Sequence, residues 1–154
     1  MLQQLDTADS VRREVAPRTA QKHKAEFGQF MTPSSVARFM ASLFPPSTLQ
    51  TCRLLDAGAG VGALSCAFLD RWVTGGFGFE SVEATAYEID EKLRGHLAQH
   101  LAGYNRVTPR ILAGDYIELA TGEGLLDRGY THVILNPPYK KIKGTSQKTE
   151  NKVR

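Results

Sequence analysis

The sequence predicts an α/β fold, a parallel sheet built from βαβ units, and three observations carry that reading. From Cys52 onward short apolar stretches alternate with helical ones, the pattern of strands joined by crossover helices. Gly58, Gly60 and Gly62 follow directly on the first apolar stretch. Acids then stand at or just past the ends of successive stretches, at Asp56, Glu88 and Asp115.

At 154 residues, with 42% hydrophobic and 23% charged content, the chain suits one globular domain with a core of its own. No apolar run approaches the roughly 18 residues of a membrane span. The opening "MLQQLDTADSVRREV" is too polar for a signal peptide, so a cytoplasmic protein is expected. Cys52 and Cys66 have a spacing that fits neither zinc nor a redox pair, and both read as small core residues. The net charge of +3 is unevenly placed, because Lys140, Lys141, Lys143, Lys148, Lys152 and Arg154 face Glu150 alone. Such a flank suits a polyanion such as DNA as well as it suits a plain solvated tail. The chain divides into a helical or loosely ordered leader over 1–27, a domain over 28–139 and a basic tail over 140–154.

Within the leader, residues 6–26 are polar with weak helical spacing. In "MTPSSVARFMASLFPP", Thr32 can cap a helix whose first position is Pro33. Val36, Phe39, Met40 and Leu43 then fall at i, i+3, i+4 and i+7 on one apolar face, and Pro45 and Pro46 end the helix. The four strands are expected over 52–56, 82–88, 107–113 and 131–136, with helices beginning near Gly62, Asp90 and Tyr116. Pro109 would remove a ladder hydrogen bond from a central strand, so the third strand belongs at a sheet edge. "TGGFGFE" (74–80) reads as a glycine-rich connection.

In "DAGAGVGALS" (56–65) the glycines let the backbone turn sharply and approach a ligand, and the following helix offers free N–H groups. Gly58, Gly60 and Ala63 also satisfy the pattern G-x-G-x-x-A, so on the loop alone a nicotinamide or flavin cofactor stays open. Asp56 points elsewhere. Its carboxylate would repel a pyrophosphate but attract an ammonium or sulfonium group, and S-adenosylmethionine carries both. Glu88 can accept from both ribose hydroxyls and Asp115 from the adenine amino group, with Ile89 and Tyr116 as apolar neighbours of the purine. A single acid after a strand is commonly a helix cap, as Asp90 is expected to be. Three acids after successive strands are harder to assign to capping.

"LNPPYKK" (135–141) ends the last strand. The exocyclic amino group of a nucleobase is a poor nucleophile, because its lone pair is delocalised into the ring. A site that accepts hydrogen bonds from its two N–H groups draws that lone pair out. Asn136 offers a side-chain oxygen, and Pro137 a carbonyl whose direction Pro138 restricts. Tyr139 offers a stacking surface worth roughly 1–3 kcal/mol per base, against the cost of flipping the base from a duplex. The plainer alternative is a strand-ending turn. His132, inside a strand, reads as a core histidine. His96 and His100 are spaced i, i+4 without the Glu of a metalloprotease motif, so no metal is expected.

Together these motifs resemble the DNA adenine-specific methyltransferases of restriction-modification systems, in the type that places the cofactor half first. "GQFMTP" (28–33) resembles that family's leading motif, which implies that Thr32 helps hold the methionine carboxylate. "DAGAGVG", "YEID", "AGDY" and "NPPY" resemble in turn the cofactor loop, the ribose-binding acid, the adenine-binding acid and the catalytic turn. The resemblance implies a Rossmann-like S-adenosylmethionine-dependent methyltransferase fold, here with about four strands where the family has seven. It implies cofactor binding by Thr32, Asp56, Gly58, Gly60, Gly62, Glu88, Ile89, Asp115 and Tyr116, and catalysis by Asn136, Pro137, Pro138 and Tyr139. As partners it implies duplex DNA with a flipped adenine, and a cognate restriction endonuclease or a C-terminal recognition region that this chain lacks. Two rivals stand beside it: methyl transfer to RNA or to a protein glutamine, and a non-catalytic cofactor-binding remnant. "GQFMTP" favours DNA over glutamine, since the glutamine-modifying enzymes typically carry a different helical domain there. The missing strands favour the remnant.

Overall fold

The apolar stretches read from the sequence form strands in the computed structural model, which describes residues 4–18, 31–116, 119 and 129–137. The strands are β1 (Thr51–Asp56), β2 (Ser81–Glu88), β3 (Val107–Ala113) and β4 (His132–Ile134). Helices α1 (Gln4–Arg18), α2 (Ser34–Ser42), α3 (Ala63–Arg71) and α4 (Glu91–Ala102) accompany them. The sheet runs β3-β2-β1-β4 with every pairing parallel, so that Leu54 lies opposite both Ala84 and His132. This is an α/β, Rossmann-like architecture. β3 occupies an edge, where Pro109 is tolerated for want of a second ladder. The chain places β2 and β3 on one side of β1 and β4 on the other, and parallel sheets hold ligands beyond the strand ends at such a reversal.

Helix α3 is buried all round, from Ala63 to Asp70, because it lies under the outer helices α1 and α2. Leu5 and Ala8 of α1 are fully buried. The N–H of Leu5 donates to Asp70 Oδ2 (3.2 Å), whose Oδ1 accepts from the Tyr104 hydroxyl (2.7 Å). The beginning of the leader is thus a docked helix.

Helix α2 departs from its sequence reading in two ways. It starts at Ser34, with Pro33 extended (φ −63°, ψ 151°) as the cap residue, and no side chain of its own caps it. Asp9 of α1 accepts from the Ser34 N–H instead (3.2 Å), so Thr32 is released from capping. The buried residues are Ala37 and Ala41, while Val36, Phe39 and Leu43 are 43%, 63% and 66% exposed. Alanines at i, i+4 allow close approach to α3, and the larger apolar side chains are left facing outward.

The stretch 74–80 is more than a connection. Phe77 and Phe79 are buried and stack on one another (5.1 Å), Phe68 stacks on Phe77 (4.8 Å), and Phe44 meets Phe68 edge-on (5.2 Å). His132 joins this group, 5.1 Å from Phe79, half-buried at the edge of the core, and burial holds its pKa below the usual value. Gly78 makes the path possible, since a Cβ there would come within 3.2 Å of the Ser47 carbonyl. Cys52 and Cys66 are free and buried. Among the described residues no helix is long and apolar enough to cross a membrane. Tyr116 and Leu119 are helical, with Leu119 N–H donating to Asp115 O (3.1 Å); residues 19–30, the rest of the helix expected near Tyr116, Pro138, Tyr139 and the 140–154 tail lie outside the described residues.

Candidate active site at the strand ends

The loop between β1 and α3 is tied down by its own amides. Gly62 N–H donates to Ala59 O (2.8 Å), Ala59 N–H to Tyr87 O (2.9 Å) and Gly60 N–H to Glu88 Oε2 (2.9 Å). Gly60 and Gly62 have φ of 56° and 91°, a left-handed region that costs other residues strain. At Gly62 a Cβ would also meet Leu97 Cδ1 at 2.8 Å. Gly58 differs, since its φ is not positive and a Cβ would meet no atom of the described residues within 4 Å. Packing among the described residues does not demand glycine there; a ligand lying against the backbone would.

The strand-end loops surround a cavity of about 330 Å³, within the range of small-molecule sites. Of the residues singled out in the sequence, Thr32, Gly58, Gly60, Glu88, Ile89, Asp115, Tyr116, Asn136 and Pro137 line it. Asp56 and Gly62 do not, and Pro138 and Tyr139 fall outside the described residues. Sequence reasoning passed over Met31, Tyr87, Leu93 and Leu135, which give the cavity apolar wall. Tyr87 and Leu135 directly precede Glu88 and Asn136, so their strand-end positions could have nominated them. Leu93 enters only because α4 packs where it does.

Asp56 sits beneath the glycine loop, fully buried. Its Oδ2 accepts from the Ser65 hydroxyl (2.7 Å), and its Oδ1 has no hydrogen-bond partner among the described residues. Burial pushes its pKa up to about 6, opposed by Ser65 and the Gly58 amide and reinforced by the charge of Glu88. Glu88 is buried at the cavity wall. Its Oε2 is held by Gly60 N–H and its Oε1 by Asp90 N–H (2.8 Å). Each carboxylate oxygen has a further lone pair to offer a ligand. Burial raises the Glu88 pKa, against the pull of the Asp90 and Gly60 amides.

Neighbouring side chains brace this corner. Arg94 Nη1 donates to the carbonyls of Glu88 (2.9 Å) and Ile89 (2.5 Å). Asp90 caps α4, accepting from the N–H of Lys92 and Leu93 (2.8 and 3.1 Å). His100 Nδ1 lies 2.7 Å from the Val61 carbonyl. A carbonyl only accepts, so Nδ1 carries the proton; burial lowers the His100 pKa and favours the neutral ring. His100 thus holds the glycine loop.

On the remaining sides, Tyr116 meets Tyr87 edge-on (5.1 Å, 72°), next to Asp115 after β3. Asn136, after β4, donates from Nδ2 to Thr32 Oγ1 (3.2 Å). The cavity thus has Glu88 and Asp115 on the β2 and β3 side, Thr32, Asn136 and Pro137 at another, and apolar side chains between.

No family model matches the chain. It is 42% identical over 96% of its length to the type II methyltransferase M.BsuBI of Bacillus subtilis, covering 31% of that protein. It is 34% identical over 87% of its length to M.PstI of Providencia stuartii, and 26% identical over 87% to M.AccI of Acinetobacter calcoaceticus, both also type II methyltransferases. It covers 28% and 22% of these two, so the chain spans less than a third of the length of the curated relatives it matches. With its parallel sheet carrying a Rossmann-like methyltransferase fold, the chain is related to a segment of the type II methyltransferases of restriction-modification systems.

Proposed function

We propose that this chain carries the cofactor site and catalytic turn of a type II DNA methyltransferase that methylates the exocyclic amino group of adenine with S-adenosylmethionine. One observation supports this most: loops from all four strand ends converge on a single cavity that sets Asn136 and Pro137 against Glu88 and Asp115. S-adenosylmethionine, when bound, supplies a methyl group on a cationic sulfur. The residues fit such a ligand. Gly58 leaves open space where a Cβ would stand, and the unpartnered Oδ1 of Asp56 lies under the same loop, where ionisation favours a cation. A pyrophosphate, as in a nicotinamide dinucleotide, would be repelled by that charge.

In this reading Glu88 accepts from ribose hydroxyls, Asp115 from the adenine amino group of the cofactor, and Ile89 and Tyr116 flank its purine. Thr32 holds the methionine carboxylate. Asn136 Oδ1 and the Pro137 carbonyl accept from the two N–H groups of the target amino group, concentrating the lone pair on nitrogen. Tyr139 stacks on the flipped base. The methylated nitrogen gives its extra proton to water, so no base of perturbed pKa is required. Duplex DNA in the cytoplasm is the proposed partner, together with a cognate restriction endonuclease or a base-reading region outside these 154 residues.

The test uses the protein as its gene encodes it, duplex DNA and a methyl-labelled cofactor. Label is expected in adenine, and Asn136→Ala should cut turnover by at least about a hundredfold, as loss of a transition-state acceptor does, while sparing cofactor binding. Label in RNA or in protein glutamine instead would overturn the substrate assignment.

A further inference from the structure

Thr32 and Asn136 stand 104 residues apart in the chain and share a hydrogen bond at the cavity wall. Each is followed by a proline, Pro33 and Pro137, which restricts the backbone of the residue before it to extended conformations. Two stiffened segments therefore meet through one polar contact. Thr32 is buried and β-branched, so its hydroxyl has few rotamers available. The amide of Asn136 has no such restraint, since rotation about its terminal torsion is broad. Its two ends are similar in size and opposite in polarity. With Nδ2 toward the target, it would present N–H groups to the N–H groups of an amino substrate.

We infer that Thr32 is a positioning residue for Asn136: by accepting from Nδ2 it turns Oδ1 to the target amino group and couples that acceptor to cofactor occupancy. The inference rests on the role proposed above for Asn136. A hydroxyl can give or take, and Thr32 must take from Asn136, whose Nδ2 only donates. Its own proton is then left for an acceptor in the cavity, which Thr32 also lines. A ligand carboxylate accepting a hydrogen bond from that hydroxyl commits the oxygen to Asn136 and strengthens the bond it accepts. The target acceptor is thereby set once the cofactor is in place.

Two variants separate this from a purely structural tie. Thr32→Val keeps the shape and removes the oxygen; Thr32→Ser keeps the oxygen. In the protein as its gene encodes it, Thr32→Val is expected to lower kcat on DNA at saturating cofactor about tenfold, with KM for DNA changed less than about twofold, the signature of misplacement rather than weaker binding. Thr32→Ser should restore most of the rate. By NMR, the side-chain amide protons of Asn136 should exchange slowly with water in the wild type and in Thr32→Ser, and fast in Thr32→Val. Equal exchange in all three proteins, or a Thr32→Val defect confined to cofactor affinity, would overturn the inference. If the wild type transfers no methyl to DNA, the proposed function fails, and the exchange comparison still decides whether Thr32 sets the amide.

Discussion

At Asp56 a carboxyl group is held out of water with one oxygen unpartnered among the described residues, which disfavours its ionised form. Its pKa rises from an ordinary 3.8 to about 6 in the folded protein. Between those values the folded protein binds a proton that the unfolded chain does not. Stability from this group is therefore fully present below about pH 4 and falls as pH rises through about 6, by about 3 kcal/mol in all. Glu88, also raised by burial, acts in the same direction. Urea midpoints measured from pH 4 to 7 should show this slope, and Asp56→Asn should flatten it and stabilise the free protein at pH 7. The same substitution should weaken cofactor binding and remove its gain with pH, because a cationic ligand favours the ionised carboxylate. The glycines divide in a similar way. Gly62→Ala is expected to cost at least about 1–2 kcal/mol of stability from its left-handed backbone alone. Gly58→Ala should change stability by less than about 0.5 kcal/mol yet weaken cofactor binding about tenfold, about 1.4 kcal/mol. A Gly58 variant that binds normally would show that no ligand approaches that backbone.

Among the elements, α2 shows where periodicity stops being informative. Spacing revealed an apolar face, but not that Ala37 and Ala41 would be the residues against α3 while Phe39 points outward. The choice depends on how closely α3, itself covered by α1 and α2, can be approached, and no local pattern carries that. Phe39→Ser should accordingly change the unfolding free energy, measured by urea denaturation, by less than about 0.5 kcal/mol. Ala41→Leu should cost about 1–3 kcal/mol through overpacking. The reverse order would restore the sequence reading of that face. β3 was legible for the opposite reason: Pro109 lacks a donor whatever surrounds it, so its edge position follows from the residue alone. "TGGFGFE" was not, because its glycines signal a turn while Phe77 and Phe79 find their partners in α3 and at His132, elements distant in sequence.

For the molecule as a whole, the four strands and nine of the nineteen cavity-lining positions could be read in advance, because each acid or glycine sits at a strand end and parallel strands deliver their ends to one side. Asp56 was legible as a charge but not in depth: burial beneath the loop, rather than at the cavity wall, depends on Ser65 and on the packing of α3. The Thr32–Asn136 contact was hidden altogether, since it joins chain segments 104 residues apart. This cavity is proposed to hold S-adenosylmethionine. Calorimetric titration of the 154-residue chain at neutral pH with S-adenosylmethionine, and separately with a nicotinamide dinucleotide, tests it most directly. Saturable one-to-one binding of the sulfonium cofactor, weakened in Asp56→Asn and Gly58→Ala, with no heat from the dinucleotide, is the predicted result. No saturable heat at millimolar S-adenosylmethionine, or binding of the dinucleotide in its place, would contradict it.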